Sequence, residues 1–193
     1  MPIRVIAGSA KGRKLKLVPG DTTRPVMDRV KEACFNIIGR DIIGARFLDV
    51  FAGTGSVGIE ALSRGARQAV FIEKERIACK TIEENLEITQ LKDKAIVRQM
   101  DAFAFIRGTP PTPPFDFIYI APPQYKGLWI EALQAFDKNR AWFGDETMVI
   151  VQIDPQEQAD VALTHLEIVD ERIYGKTLLL FYMLKEEDSQ ADG

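Results

Sequence analysis

From Ala45 onward, short apolar runs alternate with stretches of helical periodicity, and this alternation narrows the possible folds more than any other feature. Residues 47–50, 69–72, 95–97, 115–120 and 147–153 read as buried strands. Between them, 56–64, 75–89, 102–107 and 128–137 read as helices, Gly65 stops the first, and 155–163 supplies a sixth crossover. Short strands that are apolar on both faces and alternate with helices belong to a parallel sheet covered on both sides. Two last runs, 167–174 and 177–184, meet at Gly175-Lys176, a tight hairpin turn that brings in an antiparallel strand. The expected fold is α/β and Rossmann-like: a seven-stranded, mostly parallel sheet with one antiparallel strand. Ligands of such sheets lie beyond the carboxyl ends of the strands, so the chemistry belongs in the loops after strands one to four.

The first 40 residues have a different character. Residues 3–7 and 13–17 alternate weakly around Gly8-Ser9-Ala10-Lys11-Gly12, which predicts a β-hairpin. A helix follows with Val30, Ala33, Cys34, Ile37 and Ile38 on one face, ended by Gly39 or Gly44. This segment holds nine Lys or Arg against three acids, a charge of +6 in a chain of net charge −3. A basic arm on an acidic body suits a polyanion such as nucleic acid. The expected organisation is a basic hairpin and helix over 1–40, a cofactor-binding domain over 41–185, and an acidic disordered tail over 186–193.

Other classes are excluded by composition. At 46% hydrophobic and 27% charged residues, the chain is of ordinary globular make-up. Its longest clean apolar stretch, 178–184, falls far short of the ~20 residues of a membrane-spanning helix. The N-terminal residues carry no secretory pattern. Cys34 and Cys79 form neither a disulfide framework nor a Cys-x-x-Cys pair and read as buried thiols in a reducing cytoplasm. One histidine, His165, leaves no zinc pattern. A soluble, monomeric, metal-free cytoplasmic protein with no membrane partner is expected.

The loop after strand one, Asp49-Val50-Phe51-Ala52-Gly53-Thr54-Gly55-Ser56-Val57-Gly58, satisfies G-x-G-x-x-G between a strand and a helix. Glycines there let the backbone turn tightly and let a ligand approach without meeting a Cβ. Two cofactor classes fit. A dinucleotide would set its pyrophosphate on the helix N-terminus, whereas S-adenosylmethionine brings an ammonium and a sulfonium. Asp49 would repel the first and hold the second, so it favours S-adenosylmethionine, with Phe51 as an aromatic wall and Ala52 and Thr54 within the loop. Glu73, followed by Lys74, ends strand two, where an acid accepts ribose hydroxyls in either class. Asp101 after strand three is placed to accept the adenine amine, with Ala102 leaving room for the ring.

After strand four the chain reads Ala121-Pro122-Pro123-Gln124-Tyr125. Amino-directed methyltransferases carry Asp/Asn-Pro-Pro-Tyr/Phe here, and the chain resembles the RsmD family in particular. That resemblance runs over about residues 2–184. It includes Arg4-Val5-Ile6-Ala7-Gly8, Lys11-Gly12-Arg13-Lys14-Leu15, Thr23-Arg24-Pro25, Asp28-Arg29-Val30-Lys31-Glu32-Ala33 and Glu60-Ala61-Leu62-Ser63-Arg64-Gly65-Ala66. It implies transfer of a methyl group from S-adenosylmethionine to the N2 amine of a guanine in small-subunit (16S) ribosomal RNA. By the same resemblance Ala121, Pro122, Pro123, Gln124 and Tyr125 line the reacting amine. Arg4, Lys11, Arg13, Lys14, Arg24 and Arg29 then face RNA. Two positions depart from the pattern: Ala121 replaces the acid or amide, and Gln124 replaces the aromatic, with Tyr125 displaced by one. The alternatives are a catalytically weakened RNA-binding relative, an amine methyltransferase of another RNA or of DNA, and a nicotinamide-dependent oxidoreductase.

Overall fold

The computed structural model of the chain describes residues 3–21 and 26–189. It divides into two compact units, 1–102 and 103–193.

In the first unit, β1 (Ile3–Arg4) and β2 (Lys14–Leu15) pair antiparallel, with Ile3 opposite Leu15. The expected hairpin is present, but its regular pairing is short because backbone donors between the strands are claimed by a helix. The Ile6 amide donates to the Glu60 carboxylate (2.9 Å), the Ser9 amide to the Ser63 carbonyl (2.8 Å) and the Ala10 amide to Ser63 Oγ (2.9 Å). Gly8 permits this approach: at φ +86°, a Cβ on it would lie 1.8 Å from the Ser63 carbonyl oxygen. Next, α1 (Asp28–Ile38) buries Val30, Cys34, Phe35 and Ile38 on one face and ends at Gly39, φ +61°. Lys31 is buried as well, which the apolar periodicity did not foretell.

The remainder of this unit is β3 (Arg46–Asp49), α2 (Ser56–Ser63), β4 (Gln68–Glu73), α3 (Arg76–Thr89) and β5 (Ala95–Gln99). The strands are parallel in the order β5-β4-β3, with Phe47 opposite Ala69 and Val70 opposite Ile96. Phe47, Leu48, Phe71 and Ile72 are fully buried. Each such side chain removed from water contributes about 1.5–3 kcal/mol. Every residue of α2 is buried, so its one charged member, Glu60, needs compensation. Arg64 lies 3.5 Å from its carboxylate, and the Ile6 amide donates to both of its oxygens.

A short helix, α4 (Ala102–Ile106), leads into the second unit. There β6 (Phe115–Ile120), α5 (Leu128–Asp137), β7 (Phe143–Ile153), β8 (Leu166–Tyr174) and β9 (Thr177–Leu184) follow. The strand order is β6-β7-β9-β8; β6 and β7 are parallel, and β9 runs antiparallel to both its neighbours. The sheet is seven-stranded and mostly parallel, with β9 its antiparallel strand. β7 begins four residues before the expected start at Thr147.

The crossover expected over 155–163 is made without an α-helix: only Pro155–Glu157 turn, as a single 3-10 turn. The reason lies in α5. The buried carboxylate of Asp137 accepts hydrogen bonds from the amides of Thr164 (2.6 Å), His165 (2.9 Å) and Leu166 (2.9 Å). Lys185 Nζ caps the Leu163 carbonyl at 3.0 Å. Side chains thus satisfy backbone groups at the end of the crossover, and no helix is needed to do so.

β8 is the exposed edge of this unit; it carries Glu167, Asp170, Glu171 and Arg172 and a register shift between Ile168 and Asp170. Charge and irregularity of this kind deter edge-to-edge pairing. The expected acidic tail starts with one helical turn, α6 (Glu186–Ser189), and residues 190–193 lie outside the described residues. Among the described residues no helix is long and apolar enough to cross a membrane, and no cluster of His, Cys, Asp or Glu could hold a metal ion.

Candidate active site

The glycine loop lies between β3 and α2, as its spacing predicts. It is fastened to the end of β4 at two points, where the Ala52 amide donates to the Ile72 carbonyl (3.0 Å) and the Gly53 amide to Glu73 Oε2 (2.9 Å). The three glycines serve different ends. Gly53, at φ +56°, has nothing within 4 Å of where a Cβ would stand, so it faces open space. Gly55, at φ +80°, sits against Ile82 and Ile59. Gly58 lies on Phe71, where a Cβ would come within 2.3 Å of the ring. The first therefore leaves room for a ligand, and the third lets α2 pack closely on β4.

Asp49 ends β3 and is buried, with one carboxylate oxygen accepting from the Gly58 amide at 3.3 Å. Burial pushes its pKa up to about 7; the Gly58 amide pulls the other way, and the nearby Glu73 adds to the rise. Among the described residues no cation pairs with it. A buried carboxylate in this condition gains from any cationic group brought beside it.

Glu73 spends one oxygen on the Gly53 amide and the other on the Glu75 amide (3.0 Å). A carboxylate has about four lone-pair positions, so both oxygens keep acceptor capacity for hydroxyls. Asp101 is exposed after β5, Ala102 beside it is buried, and the Met100 amide joins this turn to the Glu73 carbonyl at 3.0 Å. Phe51 and Thr54 are half-buried, and Lys74 is exposed. The first unit thus gathers Asp49, the glycine loop and Glu73 into one hydrogen-bonded group. A nucleoside carrying a cation fits this donor and acceptor set better than a pyrophosphate would, because the loop presents two acids beside its glycines.

Residues that sequence reasoning passed over hold this loop from behind. Asn85 of α3, fully buried, donates to the Thr54 carbonyl (2.9 Å) and the Lys16 carbonyl (3.1 Å), and accepts from the Lys16 amide (2.7 Å). Lys31 Nζ donates to the Arg4 carbonyl (2.6 Å) and to Ser56 Oγ (3.0 Å), next to the loop. A polar residue on the buried stripe of an amphipathic helix was the available signal for both.

In the second unit, Ala121 and Pro122 continue from β6, and Pro122 is buried. Pro123, Gln124 and Tyr125 are exposed. Tyr125 adopts φ +63°; its amide donates to Glu157 Oε1 (2.8 Å), and its hydroxyl donates to Asp154 Oδ2 (2.7 Å). This hydrogen bond raises the phenol's pKa and lowers that of Asp154. Trp129 is buried in α5.

Of the basic residues, Lys11, Arg13 and Lys14 are exposed on the hairpin. Arg4 is exposed but engaged: its Nε lies 2.9 Å from Asp28. Arg29 is exposed on α1, and Arg24 lies outside the described residues.

A seven-stranded sheet with only β9 reversed is the arrangement of the class I methyltransferases. The whole chain agrees with that class: over 98% of its length it superposes on all of the solved structure of Escherichia coli yhhF, with a TM-score of 0.84 and 30% identity. The chain belongs to the family described as conserved hypothetical protein 95, whose pattern it matches over residues 3–183. Among curated relatives, YlbH of Bacillus subtilis is 35% identical over 93% of this chain and 98% of its own. Ribosomal RNA small subunit methyltransferase D of Escherichia coli K12 is 31% identical over 98% of this chain and 94% of its own. The RsmD resemblance read from the motifs is borne out.

Proposed function

We propose that this chain transfers a methyl group from S-adenosylmethionine to the exocyclic N2 amine of a guanine in small-subunit ribosomal RNA. It would do so as a cytoplasmic monomer acting on free RNA or on an assembling subunit. The observation that carries this reading is the buried Asp49, paired with no cation among the described residues, beside a glycine loop that Glu73 fastens to the end of β4.

In this reading Asp49 takes the ammonium of the cofactor, Glu73 its ribose hydroxyls and Asp101 its adenine amine. The backbone of Ala52, Gly53, Thr54 and Gly55 would line its site, together with Phe51, Lys74 and Ala102. When bound, the cofactor supplies an electrophilic methyl group on a sulfonium. An exocyclic amine is a poor nucleophile because its lone pair is delocalised into the base. Acceptors that bind its two hydrogens free that pair. The carbonyls of Ala121 and Pro122 and the Gln124 amide oxygen are the acceptors this loop offers, with Pro123 and Tyr125 shaping the base pocket. Losing one charge-assisted hydrogen bond at Ala121 costs about 1.5–3 kcal/mol, or roughly ten- to a hundredfold in rate. The reaction is slowed but not lost. Arg4, Lys11, Arg13, Lys14, Arg24 and Arg29 would meet RNA phosphates.

The test is transfer of labelled methyl groups to small-subunit RNA and to assembled subunits, with the product nucleoside identified by mass spectrometry. N2-methylguanosine is the expected product. Cofactor binding without transfer to any of these substrates would favour the RNA-binding relative, and binding of a nicotinamide dinucleotide in place of S-adenosylmethionine would end the reading.

A further inference from the structure

We infer that Asp154 and Glu157 are positioning residues that hold Tyr125 as a fixed aromatic platform for the target base. The inference rests on the methyltransferase reading above and adds two residues from outside the Pro-Pro loop.

Tyr125 combines three properties that do not usually occur together. It is 64% exposed. It occupies a left-handed conformation, φ +63°, which bulky residues rarely adopt. It is also held at both ends, the amide by Glu157 Oε1 at 2.8 Å and the hydroxyl by Asp154 Oδ2 at 2.7 Å. An exposed tyrosine with nothing to do would relax to a right-handed backbone and a mobile ring. Strain of this kind persists where the surroundings over-determine it, and such places cluster at functional sites.

The two acids are themselves locked. Asp154 Oδ1 accepts from the Gln156 amide (2.9 Å), and Glu157 Oε2 accepts from the Asp154 amide (3.3 Å), closing a capping box around the 3-10 turn. Each carboxylate therefore spends one oxygen on the turn and the other on Tyr125. The parallel register of β6 and β7, with Ile120 opposite Val151, brings the turn after β7 beside the loop after β6.

The displacement of the aromatic from position 124 to 125 then has a physical consequence. A tyrosine one residue late needs a different backbone to present its ring, and the turn supplies the two anchors that hold that backbone. Stacking on a ring fixed before the base arrives avoids the ordering cost of a mobile one. The platform selects a flat, unpaired base and is indifferent to its edge.

The test compares the full-length wild type with Tyr125→Phe, Asp154→Asn and Glu157→Gln. Substrates are small-subunit RNA and the same RNA carrying 2-aminopurine at the methylated position. Tyr125→Phe removes only the hydroxyl anchor and leaves the turn intact. The platform predicts that KM for RNA rises about tenfold in each variant. It also predicts kcat and KM for S-adenosylmethionine within about twofold of wild type, an unchanged melting midpoint for Tyr125→Phe, and a weaker 2-aminopurine fluorescence change. An unchanged KM for RNA overturns the inference, as does a loss that follows cofactor KM or the melting midpoint. If the wild type transfers no methyl group, the reading above falls, and the variants are compared by equilibrium RNA binding. Equal affinity then overturns the platform too, and about tenfold weakening sustains it.

Discussion

Asn85 and Thr54 are 31 residues apart in sequence, yet the buried Asn85 amide donates to the Thr54 carbonyl at 2.9 Å. The same side chain takes both backbone groups of Lys16 (2.7 and 3.1 Å), so one asparagine ties the basic arm to the glycine loop. Replacing it with leucine keeps the volume and strands three backbone groups. Stability should fall by about 2–4 kcal/mol, read as a lower urea midpoint at unchanged m. Asn85→Asp keeps the acceptor for the Lys16 amide and loses the donors, so it should fall between. Affinity for S-adenosylmethionine, measured by calorimetry, should decline in the same order.

Asp49 predicts a pH dependence of both stability and binding. Its pKa is raised by burial from 3.8 to about 7. Below about pH 4 the carboxyl is protonated in the folded and the unfolded chain alike. Between about pH 4 and pH 7 the unfolded chain has released the proton and the folded chain retains it, so this group's stabilising contribution shrinks as pH rises. Above about pH 7 the loss is complete and constant. Binding runs the other way: a cationic cofactor group needs the carboxylate, so affinity should increase from pH 6 to pH 8 with release of a proton. Calorimetry in buffers of different ionisation enthalpy measures that proton. Asp49→Asn should flatten both profiles, and an unaltered binding profile in this variant would remove Asp49 from the cofactor site.

Gly58 and Gly53 should fail differently when changed to alanine. At Gly58 the added Cβ would lie 2.3 Å from Phe71 Cε1 and 2.7 Å from Cζ. That is overpacking, worth about 1–3 kcal/mol of stability, and it reaches the cofactor only through α2. At Gly53 the added Cβ meets nothing within 4 Å, and only the left-handed backbone, φ +56°, is strained. The expected cost is about 1–2 kcal/mol, and the methyl group points where a ligand would lie. Gly53→Ala should thus lose more cofactor affinity than Gly58→Ala, whereas Gly58→Ala should lose at least as much stability. Equal losses of affinity would mean that the loop does not face a ligand.

What could be read from the sequence follows from the range of the interactions involved. The strand at 115–120, the helix at 128–137 and the strand at 177–184 fall where expected because apolar pattern and local glycines determine them. The glycine loop and the acids at the ends of β3 and β4 are local in the same sense. The crossover at 155–163 was not legible as an irregular segment, because its last amides are satisfied by Asp137, 27 to 29 residues earlier. Burial of Lys31 depends on the Arg4 carbonyl and Ser56, which approach it only in the folded chain. Asp154-Pro155-Gln156-Glu157 does spell a capping box. Its bonds to Tyr125 span about 30 residues and leave no local trace.

The basic arm makes a prediction that separates RNA contact from structural support. Lys11, Arg13 and Lys14 are exposed on a hairpin that α2 holds through Glu60 and Ser63. Their charges can therefore be removed without loosening it. Each phosphate contact on single-stranded RNA contributes about 0.7 to the slope of log affinity against log salt. Changing all three to glutamine should lower that slope by about 2 and weaken RNA binding across sequences, with melting midpoint and cofactor affinity unchanged. Arg4→Gln should change the slope less, because Arg4 is already engaged with Asp28 at 2.9 Å and would have to leave it to reach a phosphate. If the triple variant keeps the wild-type slope, the hairpin does not face RNA, and the +6 charge of the first 40 residues serves another purpose.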